Sequence, residues 1–432
     1  MMRLWVCILT CFWFPQSLSS QDGYLKTAMD VEQYLNHVKI QDGKLSRWPI
    51  KPEVDSISDL NLYSGIPGII LFYLELYHTT SETRYLKEAI AGGNTLLNEE
   101  IPPTIPPYAL GMYTGAAGKA YTLSEVFLAT NNDVYLNKAF QWMHAINDQL
   151  DGEAEAFGGY TDIIYGAAGI GLVSLYFLEQ YQMEWLDELL VSSADFLVDN
   201  AQYSADIVRW KLGPQVPYFM DNFSHGAAGN AYFLLKAYQH SGDDRYFEIA
   251  HKAAEFLLSS SNEQGLVCHH DPGGEDLYYL GYCHGPPGTS RLFHAMYDLS
   301  KDMKWMNTIK MSAAYLIEMD LHENRTPGLW NNEGWCCGTV GICSYLSDPA
   351  YDHHTKYERS IKLMEERIYD QSTKGTNGVR WLHAENRSSP DELFVQTGLM
   401  QGSAGFGLYY VRRHLTKKGK KWKIVLPDEI GN

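Results

Sequence analysis

Residues 163–170 read IIYGAAGI and residues 223–230 read FSHGAAGN. Alone, a Gly-x-x-Gly element is an ordinary turn. Outward from these two, it recurs as LYSGIPGI at 62–69, MYTGAAGK at 112–119, GYCHGPPG at 281–288, WCCGTVGI at 335–342 and LMQGSAGF at 399–406. The leading glycines Gly65, Gly115, Gly166, Gly226, Gly285, Gly338 and Gly402 are spaced by 50, 51, 60, 59, 53 and 64 residues. Seven copies at this interval define a repeat architecture, in which each unit buries its apolar face against its neighbours.

Each motif opens a helical pattern. GIILFYLELYH, NAYFLLKAYQH and TSRLFHAMYDL place apolar residues three and four apart. A longer amphipathic stretch precedes each motif, such as LKTAMDVEQYLNHV, RYLKEAIAGGNTLL, VYLNKAFQWMHAI, RYFEIAHKAAEFLL and MKWMNTIKMSAAYLI. Apolar helices belong inside and amphipathic ones outside. The expected fold is all-α: a closed α/α toroid of seven helix pairs, with fourteen main helices and one domain over 21–432. Glycine at each inner-helix entrance permits close backbone approach and any positive φ. Side chains just before the leading glycines then face one shared end of the ring.

The composition is that of a globular chain of 432 residues, 45% hydrophobic and 20% charged. A formal charge of −18 disfavours nucleic-acid backbones and anionic membrane surfaces. The start, MMRLWVCILTCFWFPQSLSSQ, has one basic residue, a short apolar run and small residues before a polar segment. That layout predicts a signal peptide over 1–20 and an exported chain, secreted or periplasmic. No later stretch predicts stable membrane insertion.

Removing 1–20 leaves Cys268, Cys283, Cys336, Cys337 and Cys343, too few in this length for a disulfide scaffold. Cys283 stands two before Gly285, and Cys336 and Cys337 stand two and one before Gly338. Equivalent loops would bring these three sulfurs together from neighbouring inner-helix entrances. Three sulfurs suit one zinc ion with an open fourth position, whereas a structural zinc takes a fourth protein ligand, for which His284 and Cys343 are the candidates.

The Gly-x-x-Gly series, with Cys-His-Gly in the fifth loop and Trp-Cys-x-Gly in the sixth, resembles the lanthionine synthetase C-like cyclase family. The resemblance covers the chain from about Asp22 to its end. It implies a toroid with one zinc in its central cavity, held by Cys283, Cys336 and Cys337. It implies thiol addition to a dehydroamino acid, with a peptide cysteine or small-molecule thiol as substrate. His225, one before Gly226, matches the family's catalytic histidine, and imidazole is a side chain suited to proton exchange. Asp162, four before Gly166, matches the acidic partner that would orient it. The family often has arginine four before the first cysteine ligand and tryptophan just before it; here stand Tyr279 and Tyr282, with His284 a neighbouring stand-in for the cation.

Two other functions fit the residues. A zinc-containing peptide- or thiol-binding protein without turnover needs the same ligands. A secreted α/α-toroid glycoside hydrolase or lyase needs two carboxylates at the cavity mouth, for which Asp162, Glu275, Asp276 and Glu333 are available. CHHDPGG at 268–274 offers His269 and His270 as a minor metal site or a solvent-facing loop. Asn222, Asn324 and Asn386 stand in glycosylation sequons, and RRHLTKKGKKWK at 412–423 reads as a solvated basic end.

Overall fold

Two kinds of helix alternate along the chain. The computed structural model describes residues 21–432 except 151–155, 320, 322–327, 352 and 432. The expected signal peptide at 1–20 lies outside the described residues, as does Asn324. Among the described residues there are fourteen α-helices. The outer series is α1 (Gln21–Val38), α3 (Thr83–Leu97), α5 (Asp133–Leu150), α7 (Glu184–Asp199), α9 (Asp244–Ser260), α11 (Met303–Glu318) and α13 (Glu358–Asp370). The inner series is α2 (Ile66–Thr80), α4 (Ala116–Thr130), α6 (Ala167–Tyr181), α8 (Ala227–Ser241), α10 (Pro286–Ser300), α12 (Thr339–Ser347) and α14 (Ser403–Lys417).

Burial separates the two series. Every residue of α2 from Ile66 to Leu76 is buried, whereas α3 buries a stripe of Tyr85, Ala89, Gly92, Gly93 and Leu96. That is the difference between a helix wrapped by protein and one facing water on one side. Each inner helix packs on the next inner helix, and α14 returns to α2, closing the ring. The tightest outer partner of an inner helix is the one that follows it in sequence: α2 with α3, α4 with α5, and so on, with α14 taking α1. The reason is the tight connection. Ser81, Asn131, Gln182, Gly242 and Lys301 each adopt a left-handed backbone, reversing the chain within about one helical turn.

The motif glycines serve close approach, and no leading glycine has positive φ. Gly226 has φ −163°, and a Cβ there would stand 1.3 Å from the Met220 carbonyl oxygen. At Gly229 a Cβ would meet the Phe223 carbonyl at 2.0 Å. Each loop thus folds back onto the first turn of its own inner helix, where no side chain fits.

A second repeat lies in the loops. Hairpins Ile40–Asp42/Leu45–Arg47, Gln202–Ser204/Ile207–Arg209 and Thr373–Gly375/Gly378–Arg380 each end on Arg-Trp. The indole N–H of Trp48, Trp210 and Trp381 donates to Leu35, Leu197 and Ile368, always thirteen residues back, at the end of the preceding outer helix. All three rings are buried. These tryptophans clasp the fold, so they are not the exposed aromatic platform a carbohydrate enzyme would use.

The carboxyl-terminal segment differs from its expected solvated state. Lys418, Lys420 and Lys421 are exposed, but Arg412 and Arg413 are buried against Glu429 and Glu365. Beyond them the chain turns into the ring. Ile424 N–H donates to the buried Glu75 of α2, Tyr121 of α4 donates to the Val425 carbonyl, and Tyr232 of α8 donates to the Glu429 carbonyl. The fully buried Asp428 accepts from Tyr282 Oη at 2.6 Å and pairs with Arg291 Nη1 of α10 at 2.9 Å. Deleting one partner of a buried ion pair strands the other charge. Asp428→Ala is therefore expected to lower the unfolding free energy by about 3–5 kcal/mol in a denaturant titration. Asp428→Asn keeps an acceptor for Tyr282 and should cost less; wild-type stability in the alanine variant would contradict this role.

Candidate metal centre and its cavity

Six backbone hydrogen bonds tie the loops together at the position two before each leading glycine. Tyr63 N–H donates to Tyr113, Tyr113 to Ile164, Ser224 to Cys283, Cys283 to Cys336, Cys336 to Met400 and Met400 to Tyr63, at 2.9–3.2 Å. Between Ile164 and Ser224 the loops are joined by side chains. Ile164 N–H goes to the Asp162 carboxylate, whose Oδ2 lies 2.9 Å from Nδ1 of His225. The fifth and sixth loops are also zipped by a parallel pair, Tyr278–Tyr279 with Leu329–Trp330. A Cβ on Gly281 would stand 2.6 Å from the Cys336 carbonyl oxygen, so the glycine lets the two cysteine loops touch.

This belt brings Cys283, Cys336 and Cys337 together from two loops. Their sulfurs lie within 4.8 Å of one another, with Cys283 Sγ and Cys337 Sγ 3.3 Å apart and all three unbonded as disulfides. Among the described residues they are the one group of three or more His, Cys, Asp or Glu ligand atoms this close. Tetrahedral zinc with Zn–S bonds of about 2.3 Å needs sulfurs about 3.8 Å apart, so the spacing fits. The donor set fits as well: buried, all sulfur, without a carboxylate. Neither His284 nor Cys343 joins the group; Cys343 lies inside α12, near Glu365, Arg413 and Tyr409. Burial pushes the Cys283 thiol up, while thiol donation from Cys283 and Cys337 holds Cys336 well below the usual range. A buried sulfur that gathers donors is a ready site for a soft cation.

Two donors to these sulfurs were missed in the sequence. Tyr63 hydroxyl donates to Cys336, and Gln401 Nε2 lies 3.6 Å from Cys337 Sγ and donates to Tyr63 at 3.1 Å. They stand two and one before Gly65 and Gly402, the same register that marks the cysteines. Such donors orient ligands and tune their basicity.

The three sulfurs line a cavity of about 260 Å³ with Tyr63, Thr114, Ile164, Tyr165, Ser224, His225, His284, Asn61 and Glu385. All but Asn61 and Glu385 come from one or two residues before a leading glycine. His225 is partly open to it, with 21% side-chain exposure, and Tyr165 stacks beside the ring at 5.9 Å. Asp162, fully buried, accepts Tyr165 N–H on Oδ1 at 3.0 Å, so it caps its own loop and holds His225. Burial pushes its carboxyl up, and His225 draws it back. With Nδ1 facing the carboxylate, Nε2 is left for a substrate.

Tyr282 turns away to Asp428, whereas Tyr279 stays near the site, its ring 5.1 Å from His284. Arg387, in the exposed turn between Leu382–Ala384 and Leu393–Val395, hydrogen-bonds the Tyr279 hydroxyl. A cation therefore comes near from a distant part of the chain, which no local motif signals. His269 stacks on His284 at 4.2 Å and meets His270 at 2.9 Å. The pair joins the wall around His284 and gathers no third metal ligand among the described residues. Glu275 and Asp276 are exposed and do not line the cavity. Asn222 is fully buried and accepts from His225 N–H, which leaves no room for a glycan.

The α/α toroid thus gathers on one cavity three cysteine sulfurs that could hold a metal ion and a carboxylate-held histidine. Residues 56–426 match the lanthionine synthetase C-like protein family, and the chain belongs to that family. It is 23% identical over 353 residues to Glutathione S-transferase LANCL1 of Danio rerio, covering 68% of this chain and 83% of that protein. The structure superposes on nisin cyclase with a TM-score of 0.60 at 15% identity, covering 91% of this chain and 94% of that one. No helix among the described residues is long and apolar enough to cross a membrane.

Proposed function

We propose that this protein adds a thiol to a dehydroamino acid to form a thioether, with one zinc ion held by Cys283, Cys336 and Cys337. The observation that carries the reading is the shared cavity: the sulfur group and His225 face one space, and the buried Asp162 holds His225 from behind. A zinc ion bound there would supply thiol activation, lowering the pKa of a thiol and fixing its sulfur. Everything else belongs to side chains. His225 takes the thiol proton on Nε2 while Asp162 steadies the ring as it becomes cationic. The thiolate sulfur bonds to the β-carbon of the acceptor, and the C=C electron pair moves onto the α-carbon and carbonyl oxygen. The proton on His225 then goes to the α-carbon, so the count closes without an oxidant or reductant.

The cavity is smaller than the ~300–1,000 Å³ common for drug-sized ligands, so it suits the reacting groups, with the rest of a substrate outside. The relatives' names mention glutathione and nisin, so glutathione and a cysteine-containing peptide are the first thiols to offer. The reading also keeps the proposed export of the chain, which amino-terminal sequencing of the mature protein would check. Zinc-loaded protein, N-acetyl-dehydroalanine methylamide and either thiol should lose free thiol at least about tenfold faster than buffer, with the adduct seen by mass. A fully loaded protein no faster than buffer would instead support the non-catalytic zinc-binding reading.

A further inference from the structure

Ten residues past each leading glycine the inner helices carry a second register, about 15 Å along the helix from the loop belt. Six of its seven positions hold polar groups: Glu75, Glu125, Tyr176, Lys236, Asp348 and Arg412. Most are occupied. Glu75 accepts the N–H groups of Lys423 and Ile424, Asp348 accepts from Ala350 N–H, and Arg412 pairs with Glu429 at 2.7 Å. Two heads are left over. Glu125, 8% exposed, accepts Tyr176 Oη on Oε1 at 2.7 Å, but among the described residues its Oε2 has no hydrogen-bond partner. The Lys236 ammonium has neither a hydrogen bond nor an ion pair among them, only the Tyr232 ring at 5.4 Å. Neither head is sealed off. Both line a cavity of about 310 Å³, walled in part by Leu172, Val425 and Leu426. Burial pushes the Glu125 carboxyl up to about 7 and the Lys236 ammonium down, so neither has a counter-charge close enough to offset its burial. The two stand on helices separated by α6, and Lys236 feels Asp298 and Glu179 rather than Glu125, so they are set apart across the cavity.

We infer that this second cavity binds a short linear zwitterion, its ammonium on Glu125 and its carboxylate on Lys236. The site uses no group of the thiol chemistry, so its test needs no turnover. A ligand with one charge at each end satisfies both heads at once through charge-assisted hydrogen bonds. A lone cation or a lone anion meets one unpaired charge and one of its own sign. Glu179 and Lys423, one of each sign, are exposed on the lining and leave that balance unchanged. The size agrees. The volume lies at the lower end of small-ligand cavities, ~300–1,000 Å³, and a zwitterion two residues long spans roughly 7 Å when extended. An ω-amino acid and a dipeptide share this chemistry and differ only in the stem.

Calorimetric titration of the purified protein with 5-aminopentanoate and with glycylglycine, its equal in length, tests the site. At least one should bind at one per chain, and the tighter of the two identifies the stem. Pentylamine and pentanoate carry one charge each and should bind at least about tenfold more weakly, the weight of one charge-assisted hydrogen bond. Glu125→Gln keeps an acceptor for Tyr176 and removes the negative charge, so it should weaken the zwitterion about tenfold or more without weakening pentanoate. Lys236→Met should weaken the zwitterion by a similar factor without weakening pentylamine. Melting temperatures matching wild type separate lost binding from lost fold, and each variant tests one end of the ligand. No saturable heat from either zwitterion up to about 10 mM overturns the inference. Pentylamine or pentanoate binding as tightly as the zwitterion overturns it too. So does unchanged zwitterion affinity in either folded variant, which would put the ligand elsewhere, such as the sulfur-lined cavity.

Discussion

Cys336→Ala is expected to drop zinc from one ion per chain to less than about a tenth of that after dialysis against a chelator, because two sulfurs rarely hold the ion against competition. The loss is a ligand effect, because the backbone bonds at this position survive the substitution. Cys336 N–H donates to Met400 and its carbonyl accepts from Cys283, bonds that an alanine keeps. The belt should therefore stay closed while the sulfur group loses one member. Because ligands from two loops converge on the site, losing the ion should also lower thermal stability, and chelator should then have no further effect on the variant. Cys343→Ala is the control: that thiol is buried in α12, outside the sulfur group, and its loss should leave zinc in place. Metal analysis decides the matter, and full zinc in Cys336→Ala would sink the ligand assignment.

The second large effect is on rate with the metal kept. His225→Ala should bind zinc as wild type does, since its ring is no part of the sulfur group, yet lose about 10²–10⁴-fold in kcat for thiol addition. Asp162→Asn should slow the reaction as well, because an amide can no longer stabilise the imidazolium facing it at 2.9 Å. Asparagine is the better probe there. Asp162 also accepts the N–H groups of Ile164 and Tyr165, and alanine would mix a folding defect with the catalytic one. Equal rates for wild type and His225→Ala, measured by free-thiol loss at matched zinc content, would remove this histidine from the proton path.

Much of the site was legible because the repeat assigns each residue a register. The positions one and two before a leading glycine pick out Cys283, Cys336, Cys337 and His225 without a structure, and the structure places all four on one cavity. The same register holds Tyr63 and Gln401, which went unread because tyrosine and glutamine carry no strong chemical signature of their own. The Arg-Trp repeat at Trp48, Trp210 and Trp381 was equally visible, yet its meaning depends on carbonyls thirteen residues back at a helix end. The motif glycines read as points of close backbone approach or of positive φ, and the folded loops use them for the first, against Met220, Phe223 and their counterparts.

The sequence by itself determined the helix order, the inner and outer series, and the cysteine and histidine register, because hydrophobic period and motif spacing are written along the chain. Tertiary structure decided what depends on ring closure. It set α14 against α1 and α2, brought Glu385 and Arg387 near the mouth from the long final loop, and seated Asp428 beneath Tyr282 and Arg291. It also left His284 buried with two unpartnered nitrogens. These pairings join residues up to hundreds of positions apart, and no local pattern encodes them. They arise only when seven similar units, each unable to bury its own apolar face, pack around a common axis and select their neighbours by fit.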